Sequence, residues 1–380
     1  MQQAVQSRIF EEIRRYCANG STKLAEAELR YPASSYYDSE YLAAEKAMMR
    51  AYPQIAGHTN QLPNPGDFIS HSDCDAPLLI IRQRDHSIKA FLNICPHRGA
   101  SVCTAPSGNA SGFTCPFHAW TFRNDGRLLS APRDGFPTLD RTQHGLTEIP
   151  VEERHGLIWV VTTPGGTIDV AQHLGVFDAE LASYGIADQQ LDRVEVLDVD
   201  VNWKFVMDGF LEVYHFAKLH AGSIAPWFYG THSPFEPQGL HGRLVGVRKS
   251  FDTISNRPFE EIDMMPHVAV NYQIFPNTVG VWQGDHFEFW TAYPGPTPDR
   301  CRVRIQAITP NHLSGEAFRA RWDRNWKIMI ETVQDEDWAI SREIQPNLPY
   351  VRENGLIAGA NEPGLQHFHR TLGEVVLHYQ

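Results

Sequence analysis

Cysteine is scarce in this chain and is spread along it. Six cysteines occur among 380 residues, at positions 17, 74, 95, 103, 115 and 301. Domains that depend on disulfides are short and carry cysteines much more densely. A disulfide framework is therefore excluded, and reduced thiols that can bind metals are the better interpretation.

Long apolar runs are absent too. The N-terminal segment 1–17 contains acidic residues where a signal peptide needs a continuous apolar stretch. No other stretch approaches the roughly 18 apolar residues of a membrane span. We expect a cytoplasmic, soluble protein that does not contact a membrane.

The chain has no excess of basic residues. Lys and Arg number 33 against 45 Asp and Glu, which gives a formal net charge of −12. A nucleic-acid backbone attracts positive charge, so we expect no binding to nucleic acid. With 42% hydrophobic and 21% charged residues the chain is neither fibrous nor disordered, and its length predicts two or more domains.

A nucleotide-binding fingerprint is also missing. No G-x-G-x-x-G segment follows a strand and opens a helix. We therefore expect that the chain does not oxidise NADH or NADPH itself and that it needs a redox partner.

Turn residues mark out an inserted domain in the first half of the chain. Spacing predicts helices over 7–16 and 39–49, followed by short strands that turn residues separate. The Asn-Asp-Gly sequence at 124–126 is a strong hairpin signal. Because a Pro-Gly-Gly sequence at 164–166 closes the β-rich stretch, we predict a domain over residues 50–165.

The second half mixes the two kinds of element. Residues 202–220 carry helical spacing, and a long helix is predicted over 315–342 with Ser314 as a candidate N-cap. Alternation predicts strands over 192–201, 239–252, 267–293 and 299–309. This half is therefore predicted to be α+β.

Two Cys and two His form the first constellation. Cys95 and His97 are followed after seventeen residues by Cys115 and His118, on two hairpin-like loops. Two thiolates and two imidazoles suit either zinc or a mixed-ligand [2Fe-2S] cluster. A structural zinc site commonly pairs Cys with Cys and His with His. Here each loop offers one of each, so it can give a thiolate to one iron and an imidazole to the other.

This stretch resembles a Rieske iron-sulfur domain, with Cys95, His97, Cys115 and His118 as the cluster ligands. The respiratory branch of Rieske proteins carries an extra cysteine in each loop, and those cysteines form a disulfide. That disulfide cannot form here, because the second loop has no such cysteine. Cys103 is interpreted as a small buried hydrophobic residue.

Two His and several carboxylates form the second constellation. Glu212, His215 and His220 lie within nine residues. Since a regular helix would separate the two His by about 140°, they can bind one ion only if the helix ends or bulges between them. Two His and one carboxylate form the facial arrangement that leaves positions open on Fe(II).

The third ligand is expected in the Asp335-Glu336-Asp337 cluster of the C-terminal helix. The whole chain resembles the large oxygenase subunit of Rieske non-haem iron oxygenases, through NWK at 202–204 and E-x-Y-H-x4-H at 212–220. In that family the ligand is the Asp of a Glu-Asp pair, which implies Asp337. Asp335 and Glu336 remain alternatives.

The resemblance implies an α+β fold of two parts. An all-β Rieske domain at 50–165 would be inserted into a catalytic domain formed by 1–49 and 166–380, whose curved antiparallel sheet is covered by helices of the helix-grip type. It also implies head-to-tail homotrimers, in which Glu212 bridges the cluster of one subunit and the iron of its neighbour. A small β subunit is not implied. Many members carry Glu-Asn where this chain has Asp208-Gly209, a change that could alter the pocket.

The implied function is that of the terminal oxygenase in a multicomponent system. A reductase, with or without a ferredoxin, would pass electrons from NAD(P)H to the cluster, and O2 would react at an iron held by His215, His220 and Asp337. Aromatic residues at 225–229 and 272–290 favour hydroxylation of a hydrophobic ring-bearing substrate. Demethylation, oxidation of a betaine-like compound and ring dihydroxylation are alternatives.

Two other classes of function are alternatives to the oxygenase. A pure Rieske electron carrier would hold no iron beyond the cluster. A zinc-binding scaffold or hydrolase would be colourless.

Overall fold

The computed structural model describes residues 1–132, 136–313 and 315–380. The chain forms two compact units, Met49–His173 on the one hand and Met1–Met48 with Leu174–Gln380 on the other. The helix cap predicted at Ser314 lies outside the described residues. No helix in the described part of the chain is long and apolar enough to cross a bilayer.

Eight α-helices and twenty strands are described. The helices are α1 Gln3–Asn19, α2 Ser39–Ala51, α3 Val170–Leu174, α4 Val176–Ala182, α5 Trp203–Asp208, α6 Glu316–Thr332, α7 Trp338–Ile344 and α8 Pro363–Val376. The strands are β1 Leu29–Tyr31, β2 Gln54–His58, β3 Asp67–His71, β4 Leu78–Arg82, β5 Ile88–Leu92, β6 Ser107–Asn109, β7 Gly112–Thr114, β8 Thr121–Arg123, β9 Leu128–Ser130, β10 Glu148–Ile149, β11 Val151–Arg154, β12 Leu157–Val160, β13 Gln189–Val199, β14 Phe235–Gln238, β15 His241–Val247, β16 Val268–Ile274, β17 Thr278–Trp282, β18 Phe287–Pro294, β19 Cys301–Pro310 and β20 Leu356–Ala358.

The unit Met49–His173 is built on three small antiparallel sheets. Their strand orders are β10-β5-β4-β3-β6, β11-β12-β2 and β7-β8-β9. The hairpin predicted at 124–126 joins β8 to β9, and its Gly126 has a φ of 82°. A Cβ there would collide with the Phe91 ring, so both the turn and the packing require glycine.

The other unit is organised around a seven-stranded antiparallel sheet with the order β13-β19-β18-β17-β16-β15-β14. The predicted α+β class is confirmed. The strand predicted over 239–252 ends at Val247, and the stretch predicted over 267–293 contains three strands joined by tight turns. Alternation marks such runs as extended but does not reveal the turns within them.

The sheet has two different faces. On one, Tyr272 of β16 donates a 2.5 Å hydrogen bond to Glu180 of α4, and the rings of Tyr184 and Trp282 lie 4.8 Å apart. On the other, Trp290 of β18 lies 5.1 Å from the ring of Phe210, which follows α5. We call this second face the inner face.

Asn202, Trp203 and Lys204 attach the start of α5 to the rest of the unit. The Asn202 side chain caps the helix by accepting from the Lys204 backbone N–H at 3.0 Å. Lys204 is fully buried and donates to Glu45 of α2 at 2.6 Å, and the Trp203 indole donates to the same carboxylate at 2.9 Å. The motif therefore stabilises the position of the segment that follows it.

The helix predicted over 202–220 is wrong beyond residue 208. The chain leaves α5 at Asp208 and next forms a 3₁₀ turn at Tyr214–Ala217. Asn271 of β16 donates to the Phe210 carbonyl at 2.7 Å, a long-range contact that periodicity cannot predict. The helix predicted over 315–342 is present as α6, a π-helical turn at Val333–Asp337, and α7.

Candidate metal centres

Two loops of the unit Met49–His173 present the first constellation. Cys95 accepts from the Gly99 N–H at 2.9 Å and donates its own N–H to Ala100. Cys115 makes the same pair of bonds, with Ala119 at 3.0 Å and with Trp120. The two loops therefore share one backbone geometry. In each, the residue four positions after the cysteine has a positive φ, 76° at Gly99 and 57° at Ala119.

The four side chains of these loops fit an iron-sulfur cluster. Cys95 and Cys115 are both buried, and burial together with the neighbouring Cys115 thiol raises the pKa of Cys95. The rings of His97 and His118 lie 4.6 Å apart. The buried Nδ1 of His118 has no hydrogen-bond partner among the described residues. An unpartnered ring nitrogen beside two thiols is the donor set that a mixed-ligand cluster requires.

Cys103 does not belong to this donor set by its contacts. Its Sγ donates to the Ala105 carbonyl at 3.5 Å, and its side chain belongs to the hydrophobic core of the unit. Burial raises the pKa of its thiol, which favours the neutral form.

The second constellation converges in the other unit. The Nε2 atoms of His215 and His220 lie 3.1 Å apart. Oδ1 of Asp337 is 3.5 Å from the first and 3.3 Å from the second. One donor atom from each residue falls within 4.8 Å of the others. Two imidazoles and one carboxylate facing a common point fit the facial Fe(II) arrangement.

Each His of this centre contacts a carboxylate through Nδ1, the ring nitrogen that faces away from the convergence point. Glu212 contacts Nδ1 of His215, and Oε2 of Glu336 lies 2.6 Å from Nδ1 of His220. Ser223 donates to the same Glu336 oxygen at 2.9 Å. Such partners orient an imidazole and leave its Nε2 free for a metal.

The acidic cluster of the C-terminal helix thus divides into three environments. Asp335 is exposed, Glu336 contacts Nδ1 of His220, and Asp337 faces Nε2 of both His. Sequence reasoning treated Glu336 only as an alternative ligand and missed its contact with His220. The signal that was present is an acidic residue directly before Asp337.

Irregular backbone allows these residues to meet. His215 lies in the 3₁₀ turn, and His220 follows it in a non-helical turn, so the separation expected in a regular helix does not apply. Glu336 and Asp337 lie in the π-helical turn, a feature that often occurs at functional sites. Although burial lowers it, Asp337 and Glu336 together raise the pKa of His220 above its ordinary value.

Two family models match this chain, and each matched range contains one of the two constellations. The family model for the ring hydroxylating alpha subunit (catalytic domain) matches residues 188–378, and the model for the Rieske [2Fe-2S] domain matches residues 53–140. The chain belongs to the ring-hydroxylating alpha-subunit family. This family combines a Rieske [2Fe-2S] cluster with a mononuclear iron, so the zinc interpretation of the first constellation is wrong.

Relatives of this alpha subunit include two kinds of oxygenase. The carnitine monooxygenase oxygenase subunit of Acinetobacter pittii is 29% identical over 62% of this chain. The biphenyl 2,3-dioxygenase subunit alpha of Rhodococcus jostii is 34% identical over 42%. The matched segments span 64% and 36% of those proteins. Both relatives are oxidoreductases.

A solved structure extends the likeness to almost the whole chain. The quaternary ammonium Rieske monooxygenase in complex with L-carnitine superposes with a TM-score of 0.75 at 21% identity. The match covers 97% of this chain and 99% of that one. At this identity the likeness concerns the fold, and it confirms the Rieske oxygenase architecture expected from the sequence.

The Asp208-Gly209 departure from the family pattern lies beside the iron centre of this alpha subunit. Asp208 accepts from the Tyr36 hydroxyl at 2.5 Å and contacts Nε2 of His369 at 2.9 Å. A Cβ on Gly209 would lie 3.7 Å from Oδ1 of Asp337. Asp208 is thus engaged with side chains behind the site, and Gly209 leaves space next to the carboxylate.

The aromatic residues expected in the pocket do not all face the iron centre. Tyr272 and Trp282 pack with α4 residues and Tyr184, on the face opposite to the inner one. Phe228 lies 6.0 Å from Phe216, whose ring lies 5.4 Å from that of His220. Alternation along the strands decides which rings are available to a substrate.

Proposed function

We propose that this alpha subunit is the terminal oxygenase component of a multicomponent Rieske system and that it oxygenates a small organic substrate. The observation that carries the proposal is the convergence of His215, His220 and Asp337 in a chain that also holds the four-ligand Rieske constellation. A pure electron carrier needs no such convergence.

The protein groups have distinct tasks in this proposal. Bound iron would supply activation of dioxygen, and the bound cluster would supply one-electron transfer. His215, His220 and Asp337 would hold the iron. Glu212 and Glu336 contact Nδ1 of the two imidazoles and so orient both rings with Nε2 toward the iron position.

Cys95, His97, Cys115 and His118 would hold the cluster. Phe117, next to His118, is 56% exposed, so a redox partner can approach that edge. Because the chain has no nicotinamide fingerprint, the electrons would come from NAD(P)H through a separate reductase, with or without a ferredoxin.

We further propose a homotrimer in which Glu212 bridges two protomers. Tyr214, two residues after Glu212, is 66% exposed, so the surface next to this carboxylate is accessible to another chain. Light scattering on the holoprotein should report a trimer. Glu212→Ala should keep the cluster and the iron at saturating metal but lose coupled turnover, and full activity would remove the bridging role.

Oxygen uptake tests the proposed function directly. Holoprotein with a surrogate reductase and NADH should consume O2 only when a suitable substrate is added, and product analysis should find oxygen from O2 in the product. About three irons per chain are expected, two in the cluster and one in the mononuclear site. About two irons, unchanged by His215→Ala, would support the electron carrier instead.

Two substrate classes are supported by specific observations. Phe216, which lies against His220, and Phe228, which lies against Phe216, favour a hydrophobic ring-bearing substrate for hydroxylation. Similarity to a carnitine monooxygenase favours a quaternary ammonium compound, for which the same rings are suitable neighbours.

A further inference from the structure

Two charged side chains lie on the inner face of the sheet with polar atoms unsatisfied. Glu288 of β18 is fully buried, and its Oε1 has no hydrogen-bond partner in the described part of the chain. Nε of Arg248, the residue after β15, is buried and also has no hydrogen-bond partner among the residues that the structure describes. Leaving buried polar atoms unsatisfied is unfavourable, so a group absent from the protein itself is expected to satisfy them.

Strand register places Glu288 on the inner face. Glu288 and Trp290 are two residues apart in β18 and so point the same way. Trp290 lies against Phe210. Directly opposite Glu288 are Val281 of β17 and Ala307 of β19, two small apolar side chains that offer the carboxylate no hydrogen bond.

Arg248 is connected to the iron centre through two aromatic rings. Its guanidinium lies 4.6 Å from the centroid of the Phe228 ring. Phe228 is 6.0 Å from Phe216, and Phe216 is 5.4 Å from His220. The rings of Phe228 and Phe216 therefore separate a ligand group bound at Arg248 from the proposed iron ligand His220.

Glu288 lies beneath α6. Its Oε1 is 3.6 Å from Nε2 of His286, and its Oε2 accepts a long 3.4 Å bond from the Trp290 indole. The His286 ring is 6.4 Å from that of Trp322 in α6, whose buried indole N–H also lacks a partner among the described residues. The rings of His286 and Trp290 thus border the carboxylate, and aromatic neighbours suit an organic cation.

The two charges influence each other without forming an ion pair. Arg248 donates to the Gln283 side chain at 3.2 Å, and no carboxylate of the described residues lies within 4 Å of its guanidinium. Burial lowers the pKa of Arg248 while the charge of Glu288 raises it. Each charge therefore stays available for a ligand group of the opposite sign.

We propose that the inner face of the sheet binds a zwitterion, with its ammonium group at Glu288 and its carboxylate at Arg248. This inference rests on the proposed function and narrows its substrate to compounds that carry both charges. Neither charge is needed for a plain hydrophobic ring, and burying the pair without a ligand would be unfavourable.

Three ligands of one shape test the two contacts. The probes are γ-butyrobetaine, its carbon isostere 5,5-dimethylhexanoate, which keeps only the carboxylate, and butyltrimethylammonium, which keeps only the cation. Calorimetric titration of anaerobic holoprotein without reductase measures binding and not turnover. We expect γ-butyrobetaine to bind at least tenfold more tightly than either single-charge compound. Equal affinity for all three would overturn the proposal.

Two variants assign the charges to residues. Glu288→Gln should lower the affinity for γ-butyrobetaine and for butyltrimethylammonium by about tenfold or more. The affinity for 5,5-dimethylhexanoate should not change. Arg248→Met should lower the affinity for γ-butyrobetaine and for 5,5-dimethylhexanoate. The affinity for butyltrimethylammonium should not change. Asp323→Asn is the matched control, because it removes one negative charge from the exposed side of α6, where Asp323 pairs with Arg193. Equal losses in the control would mean that only net charge matters and would overturn the residue assignment.

The affinities of the wild-type protein for the three ligands test zwitterion binding even if a variant does not fold. Iron content, cluster absorption and substrate-dependent O2 uptake are measured on the same preparation. Protein that holds three irons and consumes O2 with a ring compound, but does not prefer the zwitterion, would refute this inference alone. Protein without mononuclear iron would refute the proposed function, whatever the ligands do.

Discussion

The two candidate metal centres of this chain are assembled in different ways. The cluster residues come from two loops with the same backbone hydrogen bonds, and each loop supplies one Cys and one His two or three residues apart. The iron residues come from segments more than a hundred residues apart, brought together by a 3₁₀ turn and a π-helical turn. Local turns are enough to form the first centre, whereas the second requires the tertiary structure.

The centres also differ in how their imidazoles are supported. At the iron centre, Glu212 and Glu336 contact Nδ1 of His215 and His220, and the Nε2 atoms converge. At the cluster centre, Nδ1 of His118 is the buried atom without a partner in the described residues. The iron centre thus presents Nε2 atoms whose rings are supported at Nδ1 by carboxylates, whereas the cluster centre presents Nδ1 of His118 itself as a donor.

The largest expected effect is complete loss of the cluster in Cys115→Ser. A serine cannot replace the thiolate, while the iron residues lie in the other compact unit. Visible absorption should disappear, and iron should fall from about three to about one per chain. Loss of all iron in a folded variant would mean that the two centres do not form independently.

His220→Ala should remove the mononuclear iron and leave the cluster in place. It removes one of three converging donors, so the mononuclear iron should be lost and about two irons should remain with full cluster absorption. Substrate-dependent O2 uptake should fall to the background rate. Unchanged iron content would contradict the assignment of His220.

A smaller effect is expected from Glu336→Gln, which weakens the support of His220. Loss of such a partner typically reduces metal affinity by about 10- to 100-fold. Iron titration of the chelator-treated protein measures this affinity, and cluster absorption should not change. Asp335→Asn is the matched control, because Asp335 is exposed. Equal losses in both variants would show a charge effect and not a specific contact.

Tyr36→Phe should have the smallest effect. The Tyr36 hydroxyl donates to Asp208 at 2.5 Å and is fully buried. Burial and the charge of Asp208 raise its pKa well above the ordinary value, so it stays a donor. Removing it should lower the free energy of unfolding by about 1 to 3 kcal/mol. Urea unfolding measures this, with the exposed Tyr37→Phe as control, and no difference between them would contradict the role of this bond.

Some elements of this fold could be predicted from the sequence and others could not. The hairpin at 124–126 and the long C-terminal helix were predictable because glycine preference and 3.6-residue periodicity are local signals. The end of α5 at Asp208 was not predictable from local signals. The Phe210 carbonyl just beyond it accepts a hydrogen bond from Asn271, which lies in a strand about sixty residues later. The π-helical turn within 315–342 left no mark in the periodicity.

The sequence by itself determined the chemistry of this alpha subunit: spaced Cys and His on turn-rich loops, and a His pair followed far along the chain by an acidic cluster. The tertiary structure alone decided which carboxylate faces both imidazoles and which one contacts Nδ1 of His220. It also decided which aromatic and charged residues lie on the inner face of the sheet. The physical reason is that donor types and turn preferences are properties of neighbouring residues. Convergence at a point and the choice of sheet face depend on contacts between segments that are distant in the chain.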